Sequence, residues 1–485
     1  MRLEWSEVAR MKRPRRAVAS AFAGAGVLLW ALTGCSSVDP PASSEVKMPT
    51  AWTLEPPWQV ALPRDSEPKG PWWKHFQDPT LDALQRQALA QNATLAAAQS
   101  RWKQARALVA VAEAGQWPGL SLGVRTVRQR ISSNRPLTSY SGTNFATVQN
   151  DYIPALSVSY EADFAGRVSE TLRSAQASAE QVKADLANTQ LLMSADLATA
   201  YINMRALDSE LQVIARSIEL QRKALEFVQA RRALGATSGL EVAQQQALLD
   251  NTLTQVEVLR RQRAQFEHAI ATLVGEPAPS FTLTTSPLSM TVPKIPLGLP
   301  SQLLERRPDV ASAERAMAVA NAQVGLARAS FYPSVILTTA TGFDSRLVDR
   351  LFDVPSLVWS VGMSATQVLF DGGRLKANEQ AARAGHETAA ANYRRVVLTA
   401  LQEAEDGITG VAALQRASAQ ALTAQASARR VLELATGRYE GGISTYLDVI
   451  NAQQALLASE RQVAQLQGQT LVACVFLVRA LGGDW

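Results

Sequence analysis

The sequence has 485 residues, of which 47% are hydrophobic and 19% are charged, and its formal net charge is +5. This balance excludes a disordered chain, because disordered chains carry fewer apolar residues. The whole sequence has 48 basic and 43 acidic residues. Residues 1–34 hold six of the basic and two of the acidic residues, so 42 basic and 41 acidic residues remain after this segment. A nearly neutral remainder does not indicate a nucleic-acid-binding surface.

The first 34 residues have the pattern of an export signal. Basic residues up to Arg16 precede an uncharged run, 17–31, which is short for a membrane span and typical of a signal centre. The motif LTGC that follows matches the cleavage site of bacterial lipoproteins, in which the cysteine, here Cys35, receives a lipid. The two serines after it lack the aspartate that retains many lipoproteins in the inner membrane. We therefore predict a signal peptide at 1–34 and an outer-membrane lipid anchor at Cys35. The alternative is an ordinary cleaved signal with a chance cysteine.

The next residues, 35–77, are rich in proline and tryptophan without periodicity, which predicts an extended surface segment. A first repeat, 78–275, begins with alanine-rich helical sequence. Apolar and polar residues then alternate at 120–130 and 154–163, which predicts two strands. The polar residues between them, 131–151, are predicted to form an outward loop.

The same order of elements returns in a second repeat, 300–485, after a linker at 276–299. Strands are predicted at 334–343 and 357–367. Many residues recur without gaps at an offset of 207 positions: Leu225/Leu432, Arg231/Arg438, Gly235/Gly442, Leu240/Leu447 and Gly275/Gly482. The chain is therefore predicted to be an internal duplication of a helix, two strands and a helical hairpin.

The second part of each repeat is predicted to be a long antiparallel helical hairpin. No proline interrupts the chain from Arg167 to Leu234, a length of roughly 100 Å at ~1.5 Å per residue. Glycines predict the hairpin tips at 235–239 and 441–445. The first hairpin has apolar residues at coiled-coil spacing, and the second has a stripe of alanines with Val431. The first stripe is Leu207, Leu211, Ile214, Ile218, Leu225 and Val228, and the second is Ala421, Ala424, Ala428 and Ala435.

Each predicted strand has one apolar face and one polar or small face, which suits lipid on one side and water on the other. Four strands cannot close a membrane barrel, and open strand edges are not tolerated in hydrocarbon. Several chains are therefore expected to share one barrel. The alternative is a pair of half-buried hairpins in a soluble domain.

Several stretches resemble the outer-membrane factor family of TolC-type and OprM-type channels, and its lipoprotein branch in particular. They are the signal with Cys35, the stretch 298–335, VLFDGGR at 368–374, RYEGGISTYLDVINAQQ at 438–454 and ALGGDW at the end. The resemblance implies an α+β membrane protein that forms a homotrimer. Its twelve-stranded transmembrane β-barrel, with four strands per chain, would continue into a long periplasmic α-helical barrel.

The function implied by the resemblance is the outer-membrane exit channel of a tripartite efflux pump, which conducts small molecules passively. Its implied partners are a periplasmic adaptor, an inner-membrane transporter of the proton-driven RND type and outer-membrane lipid, with no nucleic acid. Two alternatives stay open. One is a type I protein-secretion channel of the same architecture, and the other is a structural trimeric coiled coil that spans the periplasm.

The same resemblance implies a gate at the hairpin tips. Asp448 matches a ring of aspartates at the periplasmic constriction, and Tyr439 matches a tyrosine that contacts the other hairpin, where Glu241 is the matching acid. Glu241 and Asp448 are also explained as members of capping boxes with Ser238 and Thr445. The sequence departs from TolC at two places, because Ser444 replaces a gating arginine and Asn451 replaces a second aspartate.

The exposed tip residues are, by resemblance, where the adaptor docks: Gly235, Ala236, Gly442, Ile443 and Ser444. A turn requirement explains the two glycines equally well.

No enzyme is predicted, and neither is a cofactor or a metal site. The three histidines, His75, His268 and His386, have no metal-binding spacing, and no glycine-rich phosphate loop is found. The energy for transport is therefore expected to come from an inner-membrane partner. Cys474 is expected to be a small buried apolar residue. Four charged residues are expected to be salt-bridged helix ends: Arg306, Arg307, Asp309 and Glu314.

Overall fold

The computed structural model of the protein describes residues 71–132, 147–293, 295 and 306–483. The predicted signal peptide, Cys35 and most of the segment 35–77 lie outside these ranges. The described residues divide into two compact units. A sheet unit holds residues 118–132, 147–169 and 325–378, and a helical unit holds the others.

The sheet unit contains four antiparallel strands in the order β1-β2-β3-β4. Their bounds are Gly119–Ile131 for β1, Thr147–Ala162 for β2, Ser334–Phe343 for β3 and Leu357–Thr366 for β4. The prediction for β2 was too short, because residues 147–153 pair with β1 although Gln149, Asn150 and Asp151 interrupt the alternation of apolar and polar residues. Part of the predicted outward loop 131–151 is therefore strand.

The strand register gives the sheet one apolar face. One row across it is Leu122, Leu156, Thr341 and Trp359, and the next row is Leu120, Val158, Thr339 and Val361. Apart from the half-buried Val158, the apolar side chains of these two rows are exposed, and Trp359 is 74% exposed. The opposite face carries small and polar residues, as in the row Ser121, Ser157, Ala340 and Ser360. The predicted difference between the two faces is confirmed.

The helices of the chain follow the predicted duplication. Their bounds are Pro79–Gln91 for α1, Ala93–Ala114 for α2, Arg167–Ala233 for α3, Gly239–Val274 for α4, Pro308–Ala329 for α5, Arg374–Glu440 for α6 and Tyr446–Ala480 for α7. The helices α3 and α6 each have 67 residues. Asn92 separates α1 from α2, because its side chain accepts from the Leu95 N–H at 2.9 Å and caps the second helix.

Both repeats close on a glycine in the same way. Gly275 and Gly482 follow α4 and α7 with φ of 82° and 90°. A Cβ at Gly275 would lie 2.6 Å from the Gln91 carbonyl oxygen, and one at Gly482 would lie 2.8 Å from that of Arg306. Only glycine fits these close approaches in a left-handed conformation. The duplication thus extends to backbone contacts far apart in the chain.

The main core of the helical unit joins helices of both repeats. Among its fully buried side chains are Leu81, Leu197, Tyr201, Ile408 and Leu477. Cys474 lies in this core as a free thiol, and burial raises its pKa to about 12. The helix α7 is apolar and long enough to cross a membrane, but most of its apolar stretch, 61%, is buried against the rest of the chain.

The end of the segment 35–77 is not extended. Residues Trp72–Phe76 form a short 3-10 helix, and both tryptophans and the phenylalanine are buried. The Trp72 ring lies edge-on to those of Trp73 and Phe76, with centroids 5.8 and 6.2 Å apart. The Trp73 indole also donates to Asp82 of α1 at 3.1 Å. The packing of these aromatic rings therefore places residues 72–76 in the core of the helical unit.

The linker predicted at 276–299 is described over 276–293 and at 295, and polar side chains of α3 and α4 hold it. Arg263 donates to the Leu283 carbonyl at 2.7 Å, and Arg205 donates to the Thr284 carbonyl at 2.6 Å. Both arginines also bond to the buried carboxylate of Asp208, at 2.7 and 3.0 Å. No local pattern in the sequence predicts this attachment.

Arg307 joins three helices of the second repeat. Its guanidinium lies 2.7 Å from both Asp309 and Glu403, and it donates to the Ala480 carbonyl at 3.0 Å. The prediction of a salt-bridged helix end is confirmed for Arg307 and Asp309.

The two predicted helix stripes have different outcomes. In α3, Ile214, Ile218, Leu225 and Val228 are buried in one cluster, and Leu207 and Leu211 pack against it, which confirms the first stripe. In α6 the second stripe is confirmed in part. Ala421, Ala428 and Ala435 are half-buried, whereas Ala424 is exposed and Val431 is 54% exposed. The residues of α6 that join the cluster are Leu432, Ala435 and Tyr439.

Candidate functional site

The hairpin tips have the same backbone geometry in both repeats. The Gly235 N–H bonds to the Arg232 carbonyl and the Ala236 N–H to the Arg231 carbonyl, both at 2.9 Å. In the second tip the Gly442 N–H bonds to Tyr439 at 3.0 Å and the Ile443 N–H to Arg438 at 2.9 Å. These are Schellman motifs, and both glycines have a φ of 74°.

Tyr439, in the last turn of α6, contacts the first hairpin. Its hydroxyl donates to the Glu241 carboxylate of α4 at 2.6 Å, and the Thr237 hydroxyl donates to the same oxygen. The Arg231 guanidinium lies over the Tyr439 ring, 5.0 Å from its centroid. Burial and the bond to Glu241 raise the pKa of Tyr439, so its hydroxyl stays protonated as a donor at neutral pH.

Tyr446, the first residue of α7, forms a second contact between the hairpins. Its hydroxyl donates to the Gln245 side chain at 2.8 Å, and Gln245 in turn donates to the Gln221 carbonyl at 3.0 Å. Tyr446 is 3% exposed, its ring centroid lies 5.0 Å from that of Tyr439, and burial raises its pKa. We name these four residues, Tyr439, Tyr446, Glu241 and Gln245, the tyrosine cluster.

Sequence analysis missed Tyr446 and Gln245. A signal for both exists in the duplication, because the offset of 207 places Tyr446 opposite Gly239 and Gln245 opposite Ala452. Both residues therefore lie at positions where the repeats differ, and they contact each other between the hairpins.

Glu241 and Asp448 occupy equivalent positions but have different surroundings. Glu241 is half-buried beneath Tyr439, whereas Asp448 is exposed and accepts from the Thr445 hydroxyl at 3.4 Å. The capping-box prediction is wrong in its bonding. Ser238 and Thr445 are the N-cap residues, but neither side chain accepts from a backbone N–H. The Thr445 hydroxyl instead points towards Asp448.

The tips also present apolar side chains to solvent. Ile443 is 72% exposed and Leu234 is 84% exposed. Gly235, Ala236 and Gly442 are exposed as well. Ser444 is half-buried, and its hydroxyl has no hydrogen-bond partner among the described residues. Leu234 was not singled out from the sequence, although it directly precedes the tip glycine.

A charged contact joins the hairpins away from the tips. Glu210 of α3 is 3% exposed, and Arg461 of α7 approaches its carboxylate to 2.5 Å. Arg461 also donates to Gln255 of α4 at 2.9 Å, and Gln465 donates to Glu210 at 3.3 Å. Glu210 lies 23 residues before the end of α3, which is about 35 Å along the helix. Sequence analysis did not identify this pair.

No group of three histidine, cysteine, aspartate or glutamate side chains within the described ranges has the arrangement of a metal site. The polar groups of the tips bond to one another. Their arrangement can hold two helical hairpins together by hydrogen bonds that a change at either hairpin would break.

Comparison with known proteins places the chain in a family. A profile described as Outer membrane efflux protein matches residues 84–276 and 299–483, two segments that coincide with the two repeats. The pyoverdine export outer membrane protein OpmQ of Pseudomonas aeruginosa is 32% identical over 459 residues, which is 94% of this chain and 95% of OpmQ. The toluene efflux pump outer membrane protein TtgF of Pseudomonas putida is 31% identical over 471 residues, with coverage of 94% and 95%.

The fold comparison agrees with the sequence comparison. The solved structure of the outer-membrane channel OprN matches with a TM-score of 0.83 at 28% identity. The match covers 92% of this chain and 99% of OprN.

Proposed function

Since this chain belongs to the outer membrane efflux protein family and is an outer-membrane efflux channel of a Gram-negative bacterium, we propose that three copies form one duct in a tripartite pump. The duct conducts small molecules passively from a periplasmic adaptor and an inner-membrane pump to the exterior. Cys35 carries the lipid that anchors each copy.

The observation that carries this proposal is the four-stranded sheet. Its apolar face is exposed, and its outer strands β1 and β4 each have one edge without a partner strand among the described residues. Such edges are costly in hydrocarbon, and closing them requires strands from other chains. Three copies supply twelve strands, an even number within the range of membrane barrels. The small and polar face then lines a water-filled lumen.

The tips support the proposed partners. The exposed apolar residues Leu234 and Ile443, beside Gly235, Ala236, Gly442 and Ser444, form a surface of the kind that another protein covers. We assign this surface to a periplasmic adaptor. The inner-membrane partner is assigned as a proton-driven transporter of the RND type.

The tyrosine cluster supports a gate. Its bonds tie the second hairpin to the first at the tips, so a closed end is held by neutral donors and the Glu241 carboxylate. Asp448, which is exposed, is assigned to the constriction, where three copies would attract cations and repel one another. Opening requires the hairpins to separate at the tips while the Glu210 pair holds them together further along.

Substrate class is inferred from the relatives. OpmQ and TtgF carry names for pyoverdine export and toluene efflux, which favours small molecules over protein secretion for this chain.

Two measurements test the proposal. Purified protein in a planar bilayer should conduct ions, and a deletion strain should become more susceptible to toxic small molecules. Loss of an exported protein without a change in susceptibility would favour type I secretion. A trimer without conductance and a deletion without any transport defect would favour the structural coiled coil.

Mass spectrometry of the mature N-terminus tests the lipid on Cys35, and a plain cleaved cysteine would contradict it.

A further inference from the structure

Two tyrosines mark the limits of the apolar face of the sheet. Tyr152 and Tyr160 lie eight residues apart on β2, on the face that carries Leu156 and Trp359. At ~3.4 Å per residue and a tilt of ~40°, eight residues span about 21 Å across a membrane. That distance is close to the ~25 Å between the aromatic girdles of an outer-membrane barrel.

Two arginines follow directly beyond one of these limits. In the β1–β2 register, Tyr152 pairs with Thr126, and the next two rows on the same face pair Asn150 with Arg128 and Val148 with Arg130. Both arginines are exposed. Their Cα atoms are about 7 Å apart along the strand. Arg125 of the same strand lies on the opposite face.

The arginines lie where the sheet has narrowed to two strands. Pairing of β2 with β3 stops at Ala155, whereas pairing of β2 with β1 continues to Thr147. An isolated bridge of Tyr152 with Ser345 is the last contact on that side. Backbone with open edges is not stable in hydrocarbon, so the rows of Arg128 and Arg130 belong outside it.

The ends at which the strands connect to the helices decide which membrane leaflet Arg128 and Arg130 face. The strands β1 and β2 join the helices at Gly119 and Ala162, so Arg128 and Arg130 lie near the opposite, hairpin end. If the helices are periplasmic, as the proposed function requires, the hairpin end faces the outer leaflet. The inference below rests on that orientation.

We infer that Arg128 and Arg130 form a binding site for the phosphate groups of anionic lipid in the outer leaflet. A guanidinium presents a planar fork of donors that matches a phosphate, and two of them on one face can hold one phosphorylated headgroup. Acyl chains of the same lipid would lie along Leu122 and Leu156 below. The site would fix the depth and rotation of each subunit in the membrane.

The test titrates purified trimer in detergent with lipid A, a phosphorylated glycolipid, and counts bound lipid by native mass spectrometry. The double variant Arg128→Gln/Arg130→Gln should bind about thirtyfold more weakly, because each arginine near an anionic surface contributes a factor of about five. Arg125→Gln is the matched control, since it removes a charge from the other face of the same strand. It should bind within about threefold of the parent.

Dephosphorylated lipid A separates phosphate recognition from acyl-chain contact. The parent should prefer the phosphorylated lipid by about thirtyfold. If the glutamine variant does not assemble, Arg128→Lys/Arg130→Lys replaces it; this variant keeps the charges without the planar fork and should show a smaller preference than the parent. Equal binding of both lipids, or an equal loss in Arg125→Gln, would overturn the site. Conductance of the same preparations is recorded separately, so a parent that does not conduct counts against the proposed function and not against the lipid site.

Discussion

The two hairpin tips share one backbone and differ in the side chains that meet between them. Both turn on a glycine with the same φ and the same pair of Schellman bonds. The second hairpin supplies the donors Tyr439 and Tyr446, and the first supplies the acceptors Glu241 and Gln245. The duplication therefore preserved what builds a hairpin, while divergence made the two hairpins complementary.

The offset between the repeats shows how specific this divergence is. Opposite Tyr439 the first repeat has Arg232, opposite Tyr446 it has Gly239, and opposite Gln245 the second repeat has Ala452. Only Glu241 has a similar counterpart, Asp448, and that carboxylate has no tyrosine above it. In this chain, the contact between the hairpins therefore uses side chains that the two repeats do not share.

The largest effect is expected at the buried pair that joins the hairpins away from the tips. Glu210→Ala leaves Arg461 without its carboxylate and should lower the free energy of unfolding by about 3 kcal/mol. Denaturant unfolding of the trimer in detergent measures this. Glu460→Ala is the matched control, because Glu460 pairs with the exposed Arg429 at 3.2 Å and should cost less than about 1 kcal/mol. Equal losses in both variants would show that Glu210 is not a special contact.

A change at the tyrosine cluster should act on the gate more than on the fold. Tyr439→Phe with Glu241→Ala removes a hydrogen bond to a charged group, worth about 1.5–3 kcal/mol, so the ratio of open to closed channels should rise about ten- to a hundredfold. Single-channel recordings in planar bilayers measure the ratio. Glu433→Ala is the control, because it removes an exposed carboxylate of α6 that pairs with Arg430 at 3.1 Å, and it should leave the ratio within about threefold. A double variant as closed as the parent would remove Tyr439 and Glu241 from the gate.

The same contact predicts an alkaline opening. The pKa of Tyr439 is raised above its ordinary value of 10.0 by burial and by the bond to Glu241. The contact is therefore fully present below pH 10 and is lost as the pH rises through the raised value. Open probability should stay flat from pH 6 to 9 and rise severalfold above pH 10. Tyr439→Phe should lack this rise, and an unchanged rise in that variant would assign it to other groups.

How much the sequence predicted depends on the range of the interaction. The apolar stripe of α3, the alternating strands and the tip glycines were predicted, because each follows from residues close together in the chain. The contacts of Tyr446 with Gln245 and of Arg461 with Glu210 join residues 201 and 251 positions apart, and no local pattern marks them. The pair of Tyr439 and Glu241 was anticipated only through family resemblance. The partners in these three contacts depend on how the two hairpins pack against each other, and the periodicity within one helix does not predict that packing.

The smallest effect is expected at the glycine that both hairpin tips share. Gly235→Ala and Gly442→Ala each force a side chain into a left-handed conformation, and each should cost about 1 kcal/mol of stability. A Cβ at either position meets no atom within 4 Å, so the whole cost is conformational. Gly437→Ala is the control, since Gly437 is an exposed residue inside α6 and alanine there should stabilise by about 0.5–1 kcal/mol.

These variants also separate the turn from adaptor docking. If the glycines serve only the turn, the two tip variants should lose equal stability, and the transport that remains should follow the amount of folded trimer. A tip variant that folds as well as the parent and still loses transport would show instead that the docking surface requires a residue without a side chain at that position. Unequal stability losses would mean that the tyrosines beside Gly442 already constrain its turn, so that the shared backbone and the divergent side chains are not independent.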